Sequence, residues 1–170
     1  SLHVTEPLTH TVTELDLLGD TTYKPHDIIV HTDGNIYTDN RTSNNAPAQL
    51  YKINTSTNLL ESLNQTVGPL YGLISWPNTS FIYYFGMKDS IWRLDTDTNE
   101  VEVLFGSDKW SVERCDMPVY SKKHNCIVLL PNYSEGKNGE QGAIHVITAS
   151  DELIEGPVAS PAHQIGRAHV

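Results

Sequence analysis

Short apolar stretches alternate with polar turns along most of this chain. Within the stretches the apolar positions recur every second residue, the period of a half-buried strand, and no segment holds a helical period between caps. Residues 27–31 lead through Thr32-Asp33-Gly34 into residues 35–38, and Asp-Gly between two apolar runs is a strong hairpin signal. A second such pair spans residues 72–76 and 81–85 around Pro77-Asn78-Thr79. A third spans residues 116–120 and 126–130 around a turn at 121–125, with an outer pair expected at 143–148 and 152–154.

The chain also resembles itself. Residues 50–63 match residues 91–104 at five of fourteen positions, and most others exchange like for like, including Tyr51 with Trp92 and Lys52 with Arg93. The units begin at His26, Tyr71 and Cys115, a spacing of 44–45 residues. Four short antiparallel strands per unit at that period predict blades of a β-propeller. The predicted fold is all-β, with three four-stranded blades at residues 20–64, 65–108 and 109–156 of a six-bladed ring. Residues 1–19 are expected to supply the outer strand of a preceding blade, and residues 157–164 a tail.

Three blades do not close a ring, because natural propellers use about four to eight. The expectation is therefore a partial sequence, about half a ring. Two further features agree: the chain starts on Ser1, and residues 165–170 (Ile-Gly-Arg-Ala-His-Val) resemble a translated DNA sequencing adapter.

Composition narrows the partners. The formal charge is −10 without any Lys/Arg cluster, which argues against nucleic acid. No apolar run exceeds about five residues, far too short to span a membrane. The chain holds 12 Asn and 16 Thr, residues that suit turns and strands.

In a propeller the first strand of each blade lines the central channel, so His26-Asp27, Tyr71-Gly72 and Cys115-Asp116 should converge at one mouth. Asp39-Asn40-Arg41, Lys88-Asp89 and residues 132–142 should overhang it. Lys24-Pro25-His26-Asp27, Asp33-Gly34-Asn35-Ile36-Tyr37 and Tyr71-Gly72-Leu73 together resemble the senescence-marker-protein/gluconolactonase family of six-bladed propellers. The resemblance covers roughly residues 20–156. It implies hydrolysis of a lactone or small ester with one divalent metal, Ca²⁺, Zn²⁺ or Mn²⁺, at the channel mouth.

On that resemblance Asp116 is a metal ligand, and a ligand Glu would lie upstream of Ser1. Tyr71 stands where the family has a ligand Asn. His26-Asp27 stands where it has a substrate-contacting Asn-Asp pair, and Lys24 replaces an Arg. His26 and Asp27 are thus the candidate catalytic residues, and Lys24 and Tyr71 the candidate substrate contacts. Loss of the two Asn residues supports a different class of function, a non-catalytic propeller that binds a ligand or protein at its mouth.

Other signals carry less. Asp95-Thr96-Asp97-Thr98-Asn99 opens like a calcium loop, but Glu100 stands where that loop needs Gly and Gly106 where it needs Glu. Nothing selects one Ser/His/Asp arrangement from the many Ser residues. Tyr37, Tyr51, Tyr83 and Trp92 recur at repeat positions and are expected to pack between blades. Cys126 is expected opposite Val119 and Cys115 opposite Leu130, an offset that disfavours a mutual disulfide. Five sequons, at Asn40, Asn54, Asn64, Asn78 and Asn132, exceed the two or so that composition gives, and all are expected in turns. They point to a secreted glycoprotein.

Overall fold

Phe81-Ile82-Tyr83-Tyr84-Phe85-Gly86 has no polar alternation, the composition of a strand covered on both faces. The structure, a computed structural model, describes residues 2–5, 12–15, 25–43, 45–86, 90–110, 118–129 and 144–155. It places that segment inside the middle one of three stacked sheets. A separate hairpin comprises β1 (Leu2–Thr5) and β2 (Val12–Leu15). The first sheet contains β3 (Pro25–Val30), β4 (Ile36–Asn40), β5 (Ala48–Asn54) and β6 (Leu59–Val67). The second contains β7 (Leu70–Ser75), β8 (Phe81–Gly86), β9 (Ile91–Asp95) and β10 (Glu100–Phe105). The third contains β11 (Val119–Ser121), β12 (Cys126–Leu129), β13 (His145–Thr148) and β14 (Leu153–Glu155).

Each sheet is an antiparallel meander in chain order, with no helix among the described residues. None of the described residues therefore forms a helix long and apolar enough to cross a membrane. These are three blades of a β-propeller. The first two blades meet at their first strands, β3 and β7.

Alternation along β8 joins the blades. Ile82 and Tyr84 point to the first blade and pack with Tyr37, Leu50, Leu70 and Leu94. Tyr83 and Phe85 point the other way and pack with Trp76, Trp110, Ile127, Leu129 and Ile147. One strand thus contributes to both apolar clusters, and a single-residue slip would exchange them. Polar contacts reinforce the second junction. Arg93 stacks on Phe81, 4.4 Å from the ring centre, pairs with Glu102, and reaches Asp151 of the third blade at 2.5 Å. Tyr83 donates to the same Asp151 carboxylate at 3.2 Å, and burial pushes the phenol up to about 12. In the first blade Lys52 and Glu61 repeat the Arg93–Glu102 pair across the equivalent strands.

The turns repeat as well. The inner hairpins close on left-handed residues, Gly34 (φ 86), Asn78 (φ 62) and Asn125 (φ 46). Asn58 (φ 57) and Asn99 (φ 59) do the same in the equivalent outer hairpins of the first two blades. The calcium-like segment is one of these turns, with Asp95 Oδ1 accepting the Asp97 N–H at 3.0 Å.

Three expectations need correction. The β11–β12 hairpin pairs Ser121 with Cys126 and Val119 with Val128, two residues away from the expected register. A four-residue turn ending on left-handed Asn125 moves the centre, and Tyr120 and Trp76 both donate to the Asn125 side-chain oxygen Oδ1. The free, buried Cys126 therefore faces Ser121 and Thr148 rather than Val119, while Cys115 lies outside the described residues. Second, β6 continues past residue 64 to Val67, so the Asn64 sequon lies inside a strand rather than in a turn. Asn64 (φ 55) kinks the strand where its register with β5 shifts. Third, Asp39 and Asn40 belong to β4 and are not loop residues.

Trp92 lies half-buried across Gly86 of its own blade and Gly68, just past the end of β6. A Cβ added at Gly86 would lie inside contact distance of the Trp92 ring and 2.8 Å from the Ser90 carbonyl oxygen. We expect Gly86→Ala to destabilise the protein by about 1–3 kcal/mol through overpacking. Urea unfolding followed by circular dichroism measures this, and an unchanged midpoint would contradict the placement of Trp92.

Candidate functional site

The starts of the first two inner strands, β3 and β7, depart from regular pairing. In β3, Pro25 pairs with Asn40 and Ile28 with Thr38, so His26 and Asp27 together oppose Asp39. In β7, Leu70 pairs with Gly86 and Gly72 with Phe85, which leaves Tyr71 as the extra residue. These are β-bulges at equivalent positions in adjacent blades. A bulge re-aims side chains and leaves backbone groups without ladder partners.

Two buried side chains take up those groups. Asp39 lies on the same face of β4 as Tyr37, which turns to the second blade, and its side chain is fully buried. Its Oδ1 accepts the Asp27 N–H at 2.7 Å. Arg41, two residues on and also buried, donates through Nη1 to the Leu70 carbonyl in the next blade. Through Nη2 the same guanidinium reaches Asp27 Oδ2 at 3.0 Å and His26 Nδ1 at 2.9 Å. Its Nε sits 3.2 Å from Asp39 Oδ2, a charge contact that lacks the alignment of a hydrogen bond.

The electrostatics follow from burial. Desolvation raises the Asp39 carboxyl above its ordinary range, although the Asp27 N–H and Arg41 both pull it down. Two carboxylates, Asp27 and Asp39, share the Arg41 guanidinium. Tyr84, packed against this cluster, is held strongly protonated by burial and by the Asp39 charge. Its hydroxyl is buried without a hydrogen-bond partner.

The guanidinium also fixes the chemistry of His26. Arginine nitrogens only donate, so Nδ1 must accept, and the ring proton of the neutral imidazole resides on Nε2. His26 is exposed, and the ring therefore presents a hydrogen-bond donor to solvent. Asp27, about one-third exposed, presents an acceptor beside it.

Through Arg41 the structure brings His26 and Asp27 to the Leu70 carbonyl, beside Tyr71 in the chain. Lys24, Asp116, Cys115, Lys88-Asp89, Asn132 and the rest of residues 132–142 lie outside the described residues. Asn64 and Asn78 are exposed, and Asn40 and Asn54 end β4 and β5. Asn54 Oδ1 accepts the Ser56 N–H at 3.0 Å. Sequence reasoning missed Arg41 as the organiser of the cluster. The available signal was Asp-x-Arg at the end of a strand, which sets both side chains on one face.

The described part of the rim does not fit a hard cation. Such an ion needs several oxygen ligands, but Arg41 already sits against Asp27 and Asp39. Among the described residues no group of three or more His, Cys, Asp or Glu side chains is placed to hold a metal. A cavity of about 550 Å³ lies elsewhere, between Phe105 and Lys109 on one side and His145 and Leu153 on the other, and shares no residue with the rim.

No family model matches the chain, and no curated protein does. Solved structures do match its fold. An oligogalacturonate lyase from Vibrio parahaemolyticus superposes with a TM-score of 0.65 at 17% identity, over 94% of this chain and 48% of that one. An oligogalacturonate lyase in complex with manganese gives 0.63 at 12%, over 90% and 46%. The tricorn protease gives 0.59 at 15%, over 86% and 14%. The chain spans about half the length of the two lyases and about one-seventh of the protease. At these identities the likeness is one of fold.

Proposed function

We propose that the rim formed by His26, Asp27 and Tyr71 binds a small hydroxylated ligand of the lactone or sugar-acid class. The observation that carries this reading is the Arg41–His26 contact, which leaves an exposed Nε2–H donor beside the Asp27 acceptor. A hydroxyl or ring ester can satisfy both, because it accepts from His26 while a neighbouring hydroxyl donates to Asp27. Arg41 spends its donors on the protein, so it positions His26 and Asp27 rather than touching ligand. The gluconolactonase resemblance supplies the ligand class. The sequons extend the proposal to an extracellular setting.

Hydrolysis of the bound lactone, with a divalent ion held by Asp116, is the second reading, and the retained Asp27 carboxylate favours it. One experiment separates the two. The protein is titrated with glucono-δ-lactone and with gluconate by calorimetry, and acid release is followed with Ca²⁺, Zn²⁺, Mn²⁺ or chelator. We expect binding that weakens about tenfold in His26→Ala, the scale of one good hydrogen bond. Affinity unchanged in both His26→Ala and Asp27→Asn would overturn the site. Metal-dependent acid release that disappears in Asp116→Ala would establish the hydrolase reading instead.

A further inference from the structure

At the far end of the same inner strands a second polar group lies across the blade junction. Ser75, the last residue of β7, places its Oγ 2.6 Å from Nδ1 of His31, just past the end of β3. His31 is 4% exposed and holds its ring edge-on to Tyr37, with centroids 5.7 Å apart. On the other side of the ring, Nε2 lies 3.3 Å from Oγ1 of Thr96, just past β9. Thr96 in turn hydrogen-bonds the Tyr37 phenol, whose hydroxyl donates to Asp33 Oδ2 at 2.8 Å.

One consistent assignment of the protons follows from the donors along this chain. Asp33 is held ionised: burial raises its carboxyl, but the hydrogen bonds from Asn35 and Tyr37 outweigh burial and keep it below the ordinary range. Tyr37 must therefore give its one proton to Asp33, and can only accept from Thr96. Thr96 has one proton and has given it away, so it must accept from His31 Nε2–H. His31 Nδ1 is then a bare lone pair, and the 2.6 Å contact is Ser75 O–H donating into it. A buried imidazole, tautomer set by a third group, with its free nitrogen on a serine hydroxyl, is the arrangement that activates a nucleophile.

We propose that Ser75 is a nucleophile, with His31 as its base, that attacks carboxylic esters at the mouth opposite the His26 rim. Ser75 Oγ bonds to the carbonyl carbon while its proton passes to His31 Nδ1. The carbon–oxygen bond to the leaving alcohol breaks, and the alcohol departs with that proton. Water, deprotonated by the same nitrogen, then attacks the acyl carbon; the bond to Ser75 Oγ breaks, the imidazolium returns its proton to that oxygen, and the free acid leaves. The imidazolium formed on the way faces Asp33 through Thr96 and Tyr37, so the relay carries compensating charge to it. Ser75 is only partly buried.

The test is reaction of the protein with an aryl fluorophosphonate, with the adduct located by peptide mass mapping, and with p-nitrophenyl acetate for turnover. The expected adduct is on Ser75, absent in Ser75→Ala. The labelling rate should fall roughly a hundredfold in His31→Gln, the scale of a general base. Thr96→Val, which removes the acceptor that sets the tautomer together with the donor to Tyr37, should slow labelling severalfold with the circular dichroism spectrum unchanged. An adduct on another residue, or none on the wild-type protein, overturns the proposal whatever the variants do. The outcome is independent of ligand binding at His26.

Discussion

Arg41→Ala should cost about 3–5 kcal/mol, the range for breaking a buried ion pair from one side. The side chain is nearly buried and its partner Asp39 fully so, and the substitution leaves that carboxylate without a counter-charge. It also strands the Leu70 carbonyl and releases His26 and Asp27. The loss should depend on pH in a stated direction. Burial already raises the Asp39 carboxyl, and removing Arg41 raises it further. A carboxyl raised in the folded state binds more protons folded than unfolded, so stability rises as pH falls. The penalty should therefore be greatest near neutrality and shrink as the pH falls towards the ordinary carboxylate range. Urea unfolding at several pH values checks this, and Arg41→Ala/Asp39→Asn should recover part of the loss. A cost below about 1 kcal/mol, as for an exposed pair, would contradict the burial of this cluster.

Trp110→Ala should cost a similar amount, about 3–5 kcal/mol, for a different reason. Trp110 is fully buried and fills the junction of the second and third blades, against Phe85 and His145. Its Nε1 donates to the Gly86 carbonyl at 3.4 Å. Removing the indole leaves a cavity between two sheets that can collapse little, because Phe105, Ile127 and Leu129 are already packed around it. Domains hold only about 5–15 kcal/mol in total, so a large share of the margin goes. Thermal unfolding by circular dichroism should show the change, with Trp110→Phe intermediate. A loss spread equally over the first blade in hydrogen exchange would contradict a junction confined to the second and third.

The blades were legible because their determinants are local. Asp33-Gly34, Asn78 and Asn125 each put a left-handed residue at a hairpin tip, and the apolar period changes at each one. Tyr37 and Tyr83 lie in the two clusters between blades, as their repeat positions require, whereas Tyr51 sits on the outside with its hydroxyl on Gln49. The repeat marks that position without stating which face it takes. The bulges at His26-Asp27 and Tyr71 left no trace in the pattern, because one extra residue in a strand looks like an ordinary strand. Without them, Arg41 reads as a rim residue rather than as the group that joins two blades. The β11–β12 register failed for a related reason: turn length decides it, and the polar residues 121–125 allow more than one length.

The donor and acceptor at the rim depend most on Arg41 holding His26 with the proton on Nε2. A long-range nitrogen–proton NMR correlation spectrum of the histidine rings, in mildly alkaline solution, reports this directly. The geometry requires His26 to show a bare Nδ1 and a protonated Nε2, and Arg41→Ala should let the ring exchange between tautomers. A wild-type His26 protonated on Nδ1 would contradict the account, because a guanidinium cannot accept that hydrogen.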